Sequence, residues 1–133
     1  MMKLTVEQIT KAVAGQLIQG DPCHFVQGVS TDSRTIIPGE LFIALKGEHF
    51  DGHNFISESL VQKASALLVS RKSNLRELLP PECTIPLIQV NDTLHALGDL
   101  ANAWMKRNRA TVVAITGTNG KTTTREMTAT ILE

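Results

Sequence analysis

Apolar side chains in the first fifteen residues recur every three or four positions, at Val6, Ile9 and Val13. That period puts them on one face of a helix. Thr5 with Gln8 reads as a capping box at its start, and Gly15 as its stop. Phe25 to Val29 reads as a strand, followed by the polar run Ser30-Thr31-Asp32-Ser33-Arg34 and a turn at Pro38-Gly39. Leu41 to Leu45 is continuously apolar, the pattern of a strand covered on both faces. A polar, glycine-bearing loop from Lys46 to His53 comes next. Asn54 is then expected to cap a helix whose Ile56, Leu60 and Ala64 share a face. Ala66 to Val69 is a second strand of the buried type, so strand, helix and strand predict a right-handed crossover with parallel strands.

Further on, a short helix is expected from Asn74 to Leu79, closed by Pro80-Pro81, and a strand from Leu87 to Val90. Asn91 or Asp92 caps a longer helix with Leu94, Leu97, Ala101 and Trp104 on one side. Lys106 and Arg107 in its last turn suit the negative end of the helix dipole. Thr111 to Ile115 reads as a final strand, and a last helix begins near Lys121. The segment Asn108-Arg109-Ala110 separates a compact α/β unit, residues 1–107, from a strand–loop–helix, residues 111–133, that reads as the opening of a second domain. The apolar face of that opening needs cover, so the tail is expected to be less ordered than the rest or to pack between chains.

Composition narrows the function. The formal net charge is zero, so no global field recruits nucleic acid or an anionic membrane. Tyr is absent and aromatics total 4%, which argues against a stacking platform for single strands. No apolar stretch approaches the roughly 20 residues that span a bilayer, and the N-terminus lacks a signal-peptide core. A cytosolic protein is expected. Cys23 and Cys83 form no CxxC pair and read as incidental or packed thiols.

The candidate chemistry lies near the C-terminus, at Thr116-Gly117-Thr118-Asn119-Gly120-Lys121-Thr122-Thr123. A glycine-rich turn between a strand and a helix directs backbone N–H groups at phosphate oxygens, reinforced by the helix N-terminus. In that setting Gly117, Thr118, Asn119, Gly120, Lys121, Thr122 and Thr123 are candidate ATP contacts. Lys121 would sit on the β- and γ-phosphates, and the Thr122 hydroxyl would ligate Mg²⁺. The strict pattern G-x-x-x-x-G-K-[ST] fails at Ile115, where it asks for glycine, leaving the shorter G-x-x-G-K-T form. The bland alternative is a glycine turn that merely joins strand to helix.

The run TGTNGKTTT resembles the ATP loop of the Mur ligases, and STDSRTIIPGELFIALKGEHFDGHNF resembles their N-terminal substrate domain. The resemblance runs from about Val29 to Met127, with little information between Arg71 and Ile85. Within the family, ALKGEHFDGHNF and the REM after the threonines look most like the branch that adds D-alanyl-D-alanine to UDP-N-acetylmuramoyl-tripeptide. The resemblance implies an α/β fold: a small substrate domain followed by the first strand–P-loop–helix of a P-loop ATPase domain. It also implies a cytoplasmic step of peptidoglycan synthesis in which ATP converts a carboxylate to an acyl phosphate that the dipeptide amine attacks. The remaining Mg²⁺ ligands, a carbamylated lysine and the amine-binding domain would lie later in the chain. A fragment that binds the UDP moiety without turnover is therefore expected.

In the front domain Ser30, Thr31 and Ser33 can donate and accept hydrogen bonds, which suits a uracil edge and ribose. Lys46, with the backbone of Gly47, is placed to meet a diphosphate, and Arg34 either does the same or pairs with Asp32. Asp51 and His53 sit in a turn that could close over the nucleotide. Asp32 and Arg34 could equally form a plain surface ion pair. His49, Asp51 and His53 spell H-x-D-x-H, but a loop with Gly52 inside it gives no rigid ligand face for zinc. His24 and His95 read as surface or capping residues, and Trp104 as helix packing. Rival readings are the neighbouring tripeptide-forming Mur ligase, a non-catalytic UDP-sugar-binding module and a generic P-loop kinase or GTPase.

Overall fold

In a computed structural model of the chain, residues 2–109 and 111–132 are described, with the side chains of all of these except Arg76 and Leu78. Met1, Glu133 and Ala110, the last within the expected domain boundary, lie outside the described residues.

The capping box forms as expected. Thr5 Oγ1 accepts the Gln8 N–H at 3.2 Å, and Gln8 Oε1 accepts the Thr5 N–H at 3.0 Å. It opens helix α1 (Val6–Ala12), which follows the short strand β1 (Leu4–Thr5). The helix closes in a Schellman arrangement: Gly15 N–H donates to Thr10 and Ala14 N–H to Lys11, with Ala14 left-handed at φ 49°. Gly15 itself answers a different demand. A Cβ there would lie 3.0 Å from the Gln89 carbonyl oxygen, on a strand the chain reaches much later.

Strand β2 (Gln16–Gln19) has no counterpart in the sequence reading. The expected strand from Phe25 to Val29 divides at Gln27 into β3 (Phe25–Val26) and β4 (Gly28–Ser30). The two halves join different sheets, β3 pairing with β1 and β4 with β5 (Glu40–Ile43). Then follow a 3₁₀ turn (Gly52–Phe55), helix α2 (Glu58–Lys63), strand β6 (Ala66–Ser70), helix α3 (Leu75–Leu78), strand β7 (Leu87–Val90) and helix α4 (Thr93–Asn108). Asn54 does not cap α2, as its position suggested. It lies inside the 3₁₀ turn capped by Asp51, and Ser57 caps α2.

The main sheet has the order β2-β7-β6-β5-β4, with β4 to β7 parallel and β2 antiparallel on the β7 edge. The parallel strands advance in one direction, so right-handed crossovers all fall on one face. Side chains alternate accordingly. Phe42, Ala44, Leu67, Val69 and Leu87 join Ile56, Leu60 and Ala64 from the crossover side. Leu41, Ile43, Ala66, Leu68, Ile88 and Val90 join Val6, Ile9, Ala96 and Leu100 of α1 and α4. Each Leu or Ile so buried contributes roughly 1.5–3 kcal/mol, which makes the sheet the rigid base of everything attached to its ends.

Helix α4 presents a different stripe from the one expected. Thr93, Ala96 and Leu100 are buried, Leu97 and Trp104 are half-buried, and Leu94 is 64% exposed. The buried stripe is offset by one position from the expected Leu94, Leu97 and Ala101, and Ala101 is exposed. The expected strand Thr111–Ile115 is not a strand. Among the described residues no strand lies beside it to accept its hydrogen bonds, and its Val112 and Val113 are both 59% exposed. Helix α5 (Lys121–Leu132) forms as expected, with no residue buried.

Candidate functional site

Two loops leave the carboxyl ends of adjacent parallel strands, one after β4 and one after β5, and a crevice of about 500 Å³ opens between them. Thr31, Asp32, Ser33 and Arg34 line it from the first loop; Phe50, Gly52 and Phe55 line it from the second, with Phe42 of β5 at its base. A hollow of similar size, about 520 Å³, lies among residues preceding β5, β6 and β7, including Gly39, Ser65 and Pro86. We favour the first as the ligand site. In parallel sheets ligands settle outside the carboxyl ends of the strands, where loops can vary without disturbing the core. That end also carries most of the front-domain residues singled out in the sequence.

The first loop is held by its own polar groups. Ser30 Oγ donates to the Asp32 carbonyl at 3.0 Å and accepts the Asp32 N–H at 3.3 Å. Asp32 Oδ1 accepts both the backbone N–H and the Nε–H of Arg34 at 2.9 Å, and Oδ2 accepts from the guanidinium at 2.6 Å. The guanidinium beside Asp32 is the main reason its carboxyl is lowered to about 2. Of the two roles open to Arg34, the ion pair is therefore formed, and its side chain remains 86% exposed at the crevice. Thr31 and Ser33 hydroxyls have no hydrogen-bond partner among the described residues, so both stay available to a ligand.

The second loop folds back on itself. Lys46 and Asp51 form an antiparallel bridge, and Gly47 N–H donates to the Phe50 carbonyl at 2.8 Å. That N–H, expected to meet a diphosphate, is thus spent within the turn, whereas the Lys46 side chain is exposed. Asp51 Oδ1 accepts from His53 N–H at 3.0 Å and pairs with His53 Nδ1 at 2.5 Å. Burial works to raise the Asp51 carboxyl, but the hydrogen bonds from His53 and the nearby Lys46 ammonium outweigh it, and the net shift is downward. His53 is buried, with Nε2 accepting the Ser70 N–H at 3.0 Å, so neither ring nitrogen is left for a ligand. His49 is exposed and apart from that pair. Among the described residues no group of three His, Cys, Asp or Glu is placed to hold a metal.

The sequence reading missed Phe50 and Phe55. They are 55% and 53% exposed, flat apolar walls beside polar residues, which suits an amphipathic ligand such as a base or sugar. Two aromatics left in a polar, glycine-bearing loop were the signal that could have found them.

The phosphate-loop residues sit elsewhere, at the start of α5. Gly120 has φ +74° and Gly117 +153°, conformations side chains rarely adopt. The Gly120 carbonyl accepts from Thr124 N–H at 3.0 Å, so the helix begins directly at Lys121. The N–H groups of Lys121, Thr122 and Thr123 lie in the first turn, before intrahelical acceptors exist, and their side chains are exposed together with Thr118 and Asn119. No residue from Thr111 onward belongs to either core cluster, and the described contacts do not join this loop to the crevice.

Comparison with known proteins fits this geometry. Residues 25–105 match the sequence model of the Mur ligase family, catalytic domain, a match that stops short of the phosphate loop. The chain is 43% identical over 133 residues to the UDP-N-acetylmuramoyl-tripeptide–D-alanyl-D-alanine ligase of Escherichia coli K12, covering 99% of this chain and 27% of that protein. A crystal structure of MurF from Acinetobacter baumannii superposes with a TM-score of 0.80 at 34% identity, over 99% of this chain and 28% of that one. MurF ligase from Thermotoga maritima, solved in complex with ADP, gives 0.57 at 32% identity, over 74% of this chain and 21% of that one. The chain thus spans about a quarter of the length of these relatives. With the family model matched across most of the folded sheet and the likeness to the E. coli ligase carried through the phosphate loop, the chain belongs to the Mur ligase family.

Proposed function

We propose that this chain is the front segment of an ATP-dependent ligase that joins D-alanyl-D-alanine to UDP-N-acetylmuramoyl-tripeptide in the cytoplasm. Residues 1–107 would hold the UDP-sugar, and residues 111–133 would open the ATP-binding unit. The observation that carries this reading is the 43% identity, over the chain's whole length, to the E. coli enzyme of that name.

The geometry supports the following residue roles. Thr31 and Ser33 offer unspent hydroxyls to the nucleoside, Phe50 and Phe55 provide apolar walls, and the exposed Lys46 supplies positive charge for the diphosphate, the Arg34 charge being balanced by Asp32. Ser30 and Asp51 shape the two loops. At α5 the amides from Gly117 to Thr123 and the Lys121 ammonium would neutralise ATP phosphates, and transfer of the γ-phosphoryl rests on such positioning and charge. Mg²⁺ is usually held by one or two protein oxygens together with substrate phosphates, and the exposed Thr122 hydroxyl fits as one such ligand. When bound, Mg²⁺ would offset phosphate charge. Activation of the tripeptide carboxylate as an acyl phosphate then lets the dipeptide amine form the amide bond.

The decisive assay supplies the full-length protein with ATP and either UDP-N-acetylmuramoyl-tripeptide with D-alanyl-D-alanine or UDP-N-acetylmuramoyl-dipeptide with a diamino acid. Pentapeptide product with stoichiometric phosphate release is expected only with D-alanyl-D-alanine. Product from the diamino acid, or none from either, would sink the proposal. The 133-residue chain alone is expected to bind UDP and to leave ATP unhydrolysed.

A further inference from the structure

The crevice wall built by Phe50, Gly52 and Phe55 belongs to a loop with one deeply buried polar anchor. His53 is 5% exposed, in a loop whose Phe50 and Phe55 are more than half exposed. Its ring links the backbone of Ser70 to the side chain of Asp51. Nε2 faces the N–H of Ser70, the last residue of β6, at 3.0 Å. A backbone amide can only donate, so Nε2 is the acceptor and Nδ1 carries the hydrogen given to Asp51. Asp51 also accepts the His53 N–H and pairs with Lys46 across the bridge that closes the loop. The chain of contacts thus runs from β6, flanked on both sides in the sheet, through the imidazole to the turn bearing Lys46 and Phe50.

We infer that His53 is a positioning residue: its ring fixes the Phe50–Gly52–Phe55 wall and Lys46 against the sheet, and makes no contact with the ligand. A site is only as well defined as the groups that hold its contacting residues in place. The inference rests on reading the crevice as the UDP site, so the test separates the two claims.

Three variants of the 133-residue chain divide the relay. In His53→Asn the amide reaches Asp51 from the place of Nδ1 but stops short of Ser70. In His53→Gln the amide oxygen reaches Ser70 and the link to Asp51 is lost. His53→Ala removes both. Amide exchange and UDP titration are measured on each, under conditions where circular dichroism shows it folded. Exchange at Gly47 and Gly52 should quicken about tenfold in all three, with Ser70 quickened in Asn and Ala but not Gln, while Leu41 and Leu67 keep their rates. The UDP dissociation constant should rise about threefold in Asn and Gln and about tenfold or more in Ala. Wild-type exchange at Gly47 and Gly52 in all three variants would overturn the inference. So would unchanged UDP affinity across them. A wild-type chain that does not bind UDP would instead refute the reading of the crevice, and the exchange rates would still decide whether His53 holds the wall.

Discussion

Adding a single methyl at Gly52 tests how tightly the second loop is seated on the sheet. A Cβ there would lie 2.7 Å from the Leu45 carbonyl oxygen, 2.8 Å from Leu45 N and 3.2 Å from Ala44 C. All three are backbone atoms at the end of β5, so no side chain can swing away. The Gly52 N–H also donates to that same Leu45 carbonyl at 2.6 Å, and any parting of the chains stretches this bond. Overpacking against a fixed neighbour costs about 1–3 kcal/mol. A weakened hydrogen bond adds up to about 1 kcal/mol. Gly52→Ala should therefore destabilise the protein by about 1–4 kcal/mol. With a urea slope of about 2 kcal/mol/M, the unfolding midpoint falls by about 0.5–2 M. Equilibrium urea unfolding followed by far-UV circular dichroism measures this directly. A midpoint within about 0.3 M of wild type would mean that the loop yields freely, and the account of a rigid crevice wall would fail with it.

Gly98, in the middle of α4, provides the opposite sign: a Cβ there meets nothing within 4 Å. Gly98→Ala should stabilise by about 0.5–1 kcal/mol in the same urea assay. The Asp32 carboxyl should titrate at about 2 by NMR, and move back toward its ordinary 3.8 in Arg34→Ala. Because the folded-state value is the lower one, the pair's contribution is present above 3.8 and is lost as pH falls through about 2. Asp92 Oδ1 caps α4 by accepting the His95 N–H at 2.9 Å, so Asp92→Ala should cost about 1 kcal/mol of stability by thermal or urea unfolding. In the full-length protein, Lys121→Ala should lower the ATP-dependent rate by about two orders of magnitude while leaving UDP affinity unchanged.

Much of this fold can be read directly from residue order, for a physical reason. Strands buried on both faces need apolar residues at nearly every position, so Leu41–Leu45 and Ala66–Val69 announce themselves, and Leu87–Val90 does so despite Gln89. The Thr5–Gln8 box is equally local, since both partners lie within one helical turn. Strand β2 escaped because Gln-Leu-Ile-Gln sits on a half-exposed edge, where polar residues blunt the pattern. Thr111–Ile115 misled for the converse reason. An apolar run looks the same whether or not a neighbouring strand stands ready to pair with it. At the crevice, the polar residues of the first loop were visible as donors and acceptors. The division of labour in the second loop was not. That His53 turns inward while Phe50 and Phe55 face the opening depends on Ser70, 17 residues away.

The one-way progression of β4 to β7 has a bearing on how specificity can be moved between proteins. Both walls of the crevice come from connections that flank the single strand β5, so its contacting groups, from Thr31 to Phe55, form one unbroken stretch of sequence. Recognition here is a cassette. Exchanging that stretch between family members would transplant both walls with their own intervening strand, leaving β6, β7 and the helices behind them untouched.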